Sequence, residues 1–179
     1  MVPASRMKPL LPAAEPGFVT LPGVTVAVVH TDDVPGAVGP EVMKALYGAA
    51  YGLKFALKKR GVEMTVGYPR GRWKWAAGAG MGDSLQGDWA LPLPDGTLVT
   101  DLVQKSERFP VTVERWEYGE CAWIMHVGPF ADEPPTVARL LTFIDESGNS
   151  VIGRHEEWYL SRPGAKVMKT VILYPVGPA

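Results

Sequence analysis

The chain has 179 residues, 46% hydrophobic and 21% charged, with a formal net charge of −1. These values are typical of one globular domain and exclude a disordered chain. Without a surplus of Lys and Arg there is no electrostatic reason to bind nucleic acid directly. Cys121 is the single cysteine, so no intrachain disulfide forms. With no signal-peptide segment and no apolar run near the ~20 residues of a membrane span, we expect a cytoplasmic protein without a membrane partner.

A proline-rich N-terminal arm, a strand and a helix are predicted at the start of the chain. Prolines interrupt residues 1–20. The β-branched run at residues 24–29 predicts a buried strand, and the Pro- and Gly-rich residues 32–40 predict a loop. Apolar residues recur at helical spacing over residues 41–60, and Gly61 is placed as a glycine that ends a helix.

The middle of the chain gives weaker patterns. Residues 63–68 predict a strand, and the glycine-rich stretch 71–87 predicts a mobile loop. Alternation around Trp89 predicts a short strand. Residues 97–108 predict a helix, with Leu98, Val99 and Leu102 on its apolar face.

The second half repeats the same kinds of element. Residues 111–116 and 121–127 predict two strands joined as a hairpin at residues 118–120. A helix follows, with Asp132 as its N-cap and a stop at Gly148. The last two strands are predicted at residues 155–160 and 169–175.

The two halves of the chain resemble each other. His30 ends a strand and Pro40 opens a helix ten residues later; His126 ends a strand and Pro135 opens a helix nine residues later. Two β-α-β-β units fit this repeat. We therefore predict an α+β fold of duplicated units related by a pseudo-twofold axis, with antiparallel sheets around a central ligand cleft.

The domain boundaries follow from this repeat. We assign residues 1–20 to the arm and residues 21–179 to one domain. Within that domain, the first repeat covers about 21–94 and a connecting helix about 95–108. The second repeat covers about 109–179.

Four segments carry a resemblance to a known family. Residues 126–136 (HVGPFADEPPT) resemble the His-x-Gly-Pro-aromatic and Asp-Glu-Pro-x-Thr signature of GyrI-like proteins, and residues 155–163 (HEEWYLSRP) match the His-x-Glu-x-Tyr-Leu-Ser-x-Pro strand of that family. Residues 169–176 resemble its usual ending and residues 45–54 its helix. The resemblance covers roughly residues 21–176.

The resemblance implies a duplicated β-α-β-β fold with a concave, aromatic-walled cleft and one central glutamate. Such clefts bind flat or cationic drugs, and related domains are effector-binding modules of drug-responsive regulators. One subfamily consists of cyclopropanoid cyclopropyl hydrolases. The chain departs from the family at residues 68–75, where YPRGRWKW replaces a Pro-Leu-Glu-Gly-Leu-Trp-Trp stretch, so that a second acidic group is lost and basic ones are gained. Nothing in the sequence supports DNA gyrase as a partner.

Glu157 is the strongest candidate for the central glutamate. In an alternating strand, Glu157 and Tyr159 share one face while Trp158 and Leu160 share the other. If Trp158 and Leu160 pack under a helix, Glu157 and Tyr159 face the cleft. The alternative is an exposed carboxylate bound to water. The resemblance favours the cleft, where Glu157 would attract a cation or act as a general base and Tyr159 would donate a hydrogen bond.

Aromatic and sulfur-containing side chains are the candidate cleft walls. They are Trp73, Trp75, Trp89, Trp116, Trp123, Met125, Tyr51 and Phe130. Core packing is an equal alternative for Trp89, Trp123 and Met125, and helix packing with Tyr47 and Phe55 is the favoured alternative for Tyr51.

No metal or cofactor is expected. His126 and His155 lack the spacing of a metal site with Glu157 or Cys121. Two functions remain: binding of a flat xenobiotic, and hydrolysis of a cyclopropane-bearing electrophile. A third, haem or tetrapyrrole binding, needs an exposed histidine or a broad apolar face.

Overall fold

A computed structural model describes residues 10–74, 86–162 and 164–179, so Trp75 lies outside the described residues. Over these ranges the chain forms nine strands and two α-helices. The strands are β1 (Gly17–Leu21), β2 (Val24–Thr31), β3 (Arg70–Lys74), β4 (Gln86–Pro92), β5 (Thr112–Trp116), β6 (Gly119–Val127), β7 (Asn149–Val151), β8 (His155–Tyr159) and β9 (Lys169–Pro178). The helices are α1 (Pro35–Lys59) and α2 (Glu133–Glu146). Neither helix in this part of the chain is long and apolar enough to cross a membrane.

The strand order shows the duplication. It is β1-β6-β9-β8-β3-β4-β2-β5, with β7 added on β9, and every pair is antiparallel. The first unit is β2-α1-β3-β4 and the second is β6-α2-β8-β9. The two halves of the sheet have matching orders. Counting outward from the centre, one half contains β3, β4, β2 and β5, and the other contains β8, β9, β6 and β1 in the corresponding positions. The predicted α+β fold of two β-α-β-β units about a pseudo-twofold axis is confirmed.

Both helices cover the same face of the sheet. Cross-strand partners share a face, and one row of partners crosses the sheet: Val29, Trp89, Gly71, Glu157, Ile172 and Ile124. At one end of the row, Val29 packs with Leu46 and the rest of the buried side of α1. At the other end, Ile124 packs with Leu140 of α2. Fully burying a leucine side chain stabilises the fold by roughly 1.5–3 kcal/mol, so these contacts hold each helix on the sheet.

Helix α1 begins earlier than predicted. It starts at Pro35 and includes Pro40, although residues 32–40 were predicted to be a loop. Proline is tolerated early in a helix, where the first N–H groups lack intrahelical partners. Val38 is buried, and Gly39 lies so close to the Trp89 ring that an added Cβ would be 3.2 Å from it. Packing of this first part of α1 against the sheet outweighs the proline signal.

Two predicted elements of the middle region are wrong. Residues 63–68 form no strand, because Met64 and Val66 pack against α1 without a partner ladder. The predicted helix at 97–108 is a single 3₁₀ turn, Val99–Asp101. Its expected apolar face does not exist, since Leu98 and Val99 are exposed. The predicted mobile loop also differs at both ends, where its residues belong to β3 and β4.

The hairpin prediction is wrong as well. Strand β5 pairs with β2, whereas β6 pairs with β1 and β9, so the two strands joined at residues 118–120 belong to opposite ends of the strand order and do not pair. Gly119 has a φ of +70°, which allows the chain to change direction there. Strand β1 begins within the segment assigned to the N-terminal arm. The other predicted strands and the second helix are found within a few residues of their expected bounds.

Candidate functional site

The centre of the helix-covered face carries the predicted glutamate. Helix α1 packs mainly on β2 and β4, and α2 mainly on β6 and β7, which leaves β8 and β3 between them. Glu157 lies on β8 in this central position and is 7% exposed. The alternative of a surface carboxylate bound to water is therefore excluded.

Hydrogen-bond donors surround the Glu157 carboxylate. Its Oε1 is 2.7 Å from Nε2 of His155, whose Nδ1 is 2.7 Å from the Tyr174 hydroxyl. A carboxylate only accepts, so Nε2 donates to Glu157. The Tyr159 hydroxyl lies close enough for the charge of Glu157 to act on it. Burial and the charge of Glu157 raise the pKa of Tyr174 to about 12 and that of Tyr159 well above its usual value. Both phenols are therefore neutral donors at physiological pH.

Glu133 is a second buried carboxyl at this site, and the sequence analysis assigned it no role. It is the first residue of α2 and is 8% exposed. Burial, and then the charge of Glu157, raise the pKa of Glu133 to about 8. Its Oε1 is buried without a hydrogen-bond partner among the described residues. Such an unpaired acceptor costs about 1–3 kcal/mol.

Aromatic rings line the same central region. Trp73 and Trp89 meet edge to face with centroids 4.9 Å apart, and Phe130 meets Tyr159 edge to face at 5.8 Å. The Trp73 indole donates to the Tyr159 hydroxyl at 3.2 Å. The structure therefore brings five of the predicted site residues together: Glu157, Tyr159, Trp73, Trp89 and Phe130.

Two glycines leave the space that the Trp73 ring occupies. A Cβ on Gly71 would be 2.7 Å from this ring and 2.8 Å from the Tyr159 hydroxyl. A Cβ on Gly87 would overlap the other side of the same ring. Any larger residue at either position would push Trp73 out of its contact with Tyr159.

Tyr51 lies outside this cluster. It is 42% exposed on α1, in a row of rings with Tyr47 and Phe55, with centroids 6.2 Å apart at each step. Tyr47 is partly buried and packs against the same core cluster as Tyr159. Helix packing, the favoured alternative for Tyr51, is found in part: the ring contacts Tyr47 and Phe55 along the helix, but Tyr51 and Phe55 are exposed.

Trp116, Trp123 and Met125 lie on the opposite face of the sheet, together with Trp158. The expectation that Trp158 and Leu160 pack under a helix is wrong, because the helices cover the Glu157 face. Both faces of the central strands are buried, so alternation in the sequence cannot distinguish them.

The basic residues of the departing segment also belong to the opposite face. Arg72 donates through Nε to Glu156 at 2.7 Å, and its guanidinium lies 3.9 Å from the centre of the Trp116 ring. Tyr118 and the Trp158 indole also donate to Glu156, at 2.6 and 2.7 Å. A depression of about 240 Å³ opens beside Arg72 on this side. Arg72 therefore neutralises Glu156, and Arg70 donates to the Tyr118 hydroxyl on the same face.

His126 has a structural role in the turn between β6 and α2. Its Nε2 donates to the Pro129 carbonyl at 3.1 Å, so its Nδ1 accepts from the Thr136 hydroxyl at 2.9 Å. Gly128 takes a φ of +142° in the same turn. The motif at residues 126–136 thus builds the turn from β6 into α2 and so places Glu133 over the sheet. Within the described residues no group of His, Cys, Asp or Glu has the arrangement of a metal site.

No family model matches the chain, and a search of curated proteins found no match. Solved structures do match. An uncharacterized conserved protein from Listeria innocua is 25% identical over 93% of this chain and 94% of its own, with a TM-score of 0.82. A hydrolase from Listeria innocua is 26% identical over 93% of each chain, with a TM-score of 0.79.

A more distant structure shares the fold alone. The C-terminal domain of EcmrR is 12% identical over 92% of this chain and 98% of its own, with a TM-score of 0.65. Together with the paired β-α-β-β units and the motifs at residues 126–136 and 155–163, these comparisons show that the chain has the GyrI-like fold and agree with the resemblance to that family.

Proposed function

We propose that this chain binds a flat aromatic small molecule between α1 and α2, and that it hydrolyses such a molecule when the molecule carries a strained cyclopropane ring. One observation carries the proposal: Glu157 is buried in contact with His155 and Tyr159, beside the Trp73 and Phe130 rings. The hydrolase from Listeria innocua with the same fold agrees with the catalytic part.

Binding would rely on rings at two depths. Phe130 and Tyr51 are 41% and 42% exposed, so they offer ring surface to an incoming planar molecule. Each well-oriented aromatic pair contributes about 0.5–1.5 kcal/mol beyond its buried area. Trp73 and Tyr159 lie deeper and would contact the reacting end. A ligand held by both sets would have its polar end close to Glu157.

The reaction we propose adds one water to the substrate. The water oxygen forms a bond to a cyclopropane carbon, and the ring C–C bond breaks. The electron pair of that bond moves into the conjugated carbonyl, which becomes a phenolate. Glu157 accepts a proton from the attacking water, and Tyr159 donates a hydrogen bond to the phenolate. The phenolate then takes up a proton from solvent, and Glu157 releases its proton to solvent, which restores the carboxylate. Holding the planar substrate in one orientation supplies part of the rate.

The test uses a spirocyclopropyl dienone alkylator incubated with the chain and analysed by mass spectrometry. We expect repeated conversion to the water adduct. Glu157→Gln should lower turnover by about 10²–10⁴-fold, the range for loss of a general base, while tryptophan quenching by the ligand persists. Glu146→Gln is the matched control, because it makes the same change at an exposed position of α2. Equal turnover in wild type and Glu157→Gln would contradict the catalytic role.

Binding without catalysis is the second candidate, and one observation favours it. The Glu157 carboxylate already accepts a hydrogen bond from His155, which is suited to holding a charge in place. A sequestering or effector-sensing domain would quench tryptophan fluorescence and return the alkylator unchanged. The same incubation therefore separates the two functions.

A further inference from the structure

Two arginines line the depression on the face of the sheet opposite Glu157. Arg72 belongs to β3, and Arg154 lies in the turn between β7 and β8. The other residues that line the depression are Glu117, Ile152, Gly153 and Pro175. Its volume is about 240 Å³. Pockets for drug-sized ligands have roughly 300–1,000 Å³, so this depression suits a smaller molecule or a single functional group.

Each of the two guanidinium groups is held by one carboxylate. Arg72 donates through Nε to Glu156 at 2.7 Å, and Arg154 donates through Nη2 to Asp88. A guanidinium has five N–H groups, and within the described residues these are the hydrogen bonds that the two groups make. The side chains of Arg72 and Arg154 are 18% and 36% exposed. Their remaining N–H groups are therefore available to a ligand in the depression.

Positive charge exceeds negative charge in the hydrogen-bond network beside the depression. Arg70 donates through Nη1 to the Tyr118 hydroxyl at 2.7 Å, and this hydroxyl donates to Glu156 at 2.6 Å. Arg72 binds the other oxygen of the same carboxylate. Two guanidinium groups thus share one carboxylate, and Arg70 makes no ion pair with another acid in the part of the chain described. An anion near this network would compensate the excess charge.

The charges that line the depression also favour an anion. Burial, and then the charge of Arg72, lower the pKa of the Arg154 guanidinium, so the two like charges lie close enough to repel each other. Glu117 is the acidic residue of the lining, but its side chain is 74% exposed and bonded to Arg115 at 3.1 Å. Solvent and Arg115 therefore screen its charge.

We propose that this depression is a second binding site, which takes a phosphate group between Arg72 and Arg154. Guanidinium groups bind phosphate through pairs of parallel hydrogen bonds. A phosphate group has enough oxygens to pair with two guanidinium groups, whereas a carboxylate has two oxygens and can pair fully with one. The site lies on the opposite face from Glu157, so this inference does not rest on the proposed function.

Two-dimensional NMR of the arginine Nε–H groups tests the site, with inorganic phosphate as the probe. We expect the Arg72 and Arg154 signals to shift and to reach saturation as phosphate is added. The signal of Arg139, which is 51% exposed and pairs with Glu15, should stay in place. Acetate at the same ionic strength should bind about 10–100-fold more weakly, because one guanidinium then lacks a charged partner.

Ile152→Glu is the decisive variant. Ile152 lines the depression and is 67% exposed, so its replacement leaves the core intact. The new carboxylate would occupy the place of the phosphate charge and repel it. We expect the affinity for phosphate to fall by about tenfold or more. Ile152→Gln has nearly the same shape without the charge, and its affinity should stay within about twofold of wild type.

Arg154→Gln removes one of the two guanidinium groups. It should weaken phosphate binding by about 10–100-fold, the loss expected for hydrogen bonds to a charged group. Arg139→Gln makes the same change on α2 and should bind phosphate as wild type does. If Arg154→Gln does not fold, the comparison of the two Ile152 variants decides the question, because that side chain is exposed.

Three results would overturn the proposal. The first is an Arg72 signal that moves in proportion to added phosphate without reaching saturation. The second is equal affinity in Ile152→Glu and Ile152→Gln, which would place the phosphate elsewhere on the surface. The third is acetate binding as tight as phosphate binding, which would contradict the pairing of one anion with two guanidinium groups. None of these results bears on the cleft that contains Glu157.

Discussion

Gly71 shows how far the site depends on single residues. It is the cross-strand partner of Glu157, and its missing side chain leaves room for the Trp73 ring and the Tyr159 hydroxyl.

We expect Gly71→Ala to lower the free energy of unfolding by about 1–3 kcal/mol, because the added methyl overlaps both Trp73 and Tyr159. Urea unfolding followed by tryptophan fluorescence measures the change, and ligand quenching should weaken in parallel. Gly17→Ala is the control: a Cβ there meets nothing within 4 Å, so its stability should stay within about 0.5 kcal/mol of wild type. Equal stabilities of the two variants would refute this account of Gly71.

The sequence supplied part of the site at this scale. Alternation placed Glu157 and Tyr159 on one face, and the family motif singled out Glu157. Alternation did not show that the helices cover that face, because Trp158 on the other side is equally buried. Glu133 was missed because a glutamate at a helix start is normally solvent-exposed and favoured by the helix dipole. Its burial depends on where β8 lies relative to α2, and the local sequence does not contain that distance.

At the scale of elements, the pairing of β3 with β8 joins the two units. Arg72 and Glu156 are cross-strand partners in this pair, one from each unit, and Glu156 is 1% exposed. A buried ion pair that loses one member leaves an unpaired charge in the interior. The junction between the units therefore depends on this contact more than on any exposed ion pair.

Arg72→Met should lower the free energy of unfolding by about 3–5 kcal/mol. The double variant Arg72→Met/Glu156→Met should lose less than the sum of the two single losses, since it removes both charges. Arg115→Met serves as the control, because Arg115 and Asp95 are 45% and 76% exposed and such pairs contribute about 0–1 kcal/mol. Denaturant unfolding of the three single variants and the double variant, each compared with wild type, measures these changes in the free energy of unfolding. A similar cost for Arg72→Met and Arg115→Met would contradict the role given to the junction.

The elements that were predicted correctly have all of their sequence signals within the element and at its two ends. Helix α2 has a periodic apolar side, prolines at its start and Gly148, with a φ of +70°, after its end. Residues 63–68 alternate as a strand does, but a strand also needs a partner, and none is placed beside them. The partners of β5 and β6 could not be predicted either. Strand β5 pairs with β2 and β6 pairs with β1, and these partners lie far away in the sequence.

At the scale of the whole molecule, the alkylation rate of Cys121 measures global unfolding. It is the single cysteine and is fully buried on the face opposite the helices. Burial, and then the charge of Glu156, raise the pKa of its thiol to about 12. Only the thiolate reacts with alkylating agents. Both the burial of Cys121 and the raised pKa of its thiol should therefore protect it from alkylation in the native protein.

We expect iodoacetamide at pH 8 to modify Cys121 at the rate set by unfolding. Mass spectrometry at increasing urea should give the same transition as fluorescence. A bound planar ligand at 100 times its dissociation constant stabilises the fold by about 2.7 kcal/mol, so it should slow modification about a hundredfold. Rapid alkylation of the folded chain would contradict the packing described for this face.

The order of strands also suggests how such a molecule arose. Each unit alone would leave β3 or β8 as an open edge, and an open edge invites pairing with another chain. An ancestor of half this length would have closed its sheet as a homodimer, and fusion of two copies of its gene would yield the present plan. Once fused, the halves were free to specialise: one now supplies the indoles of Trp73 and Trp89, and the other supplies the acids at positions 133 and 157.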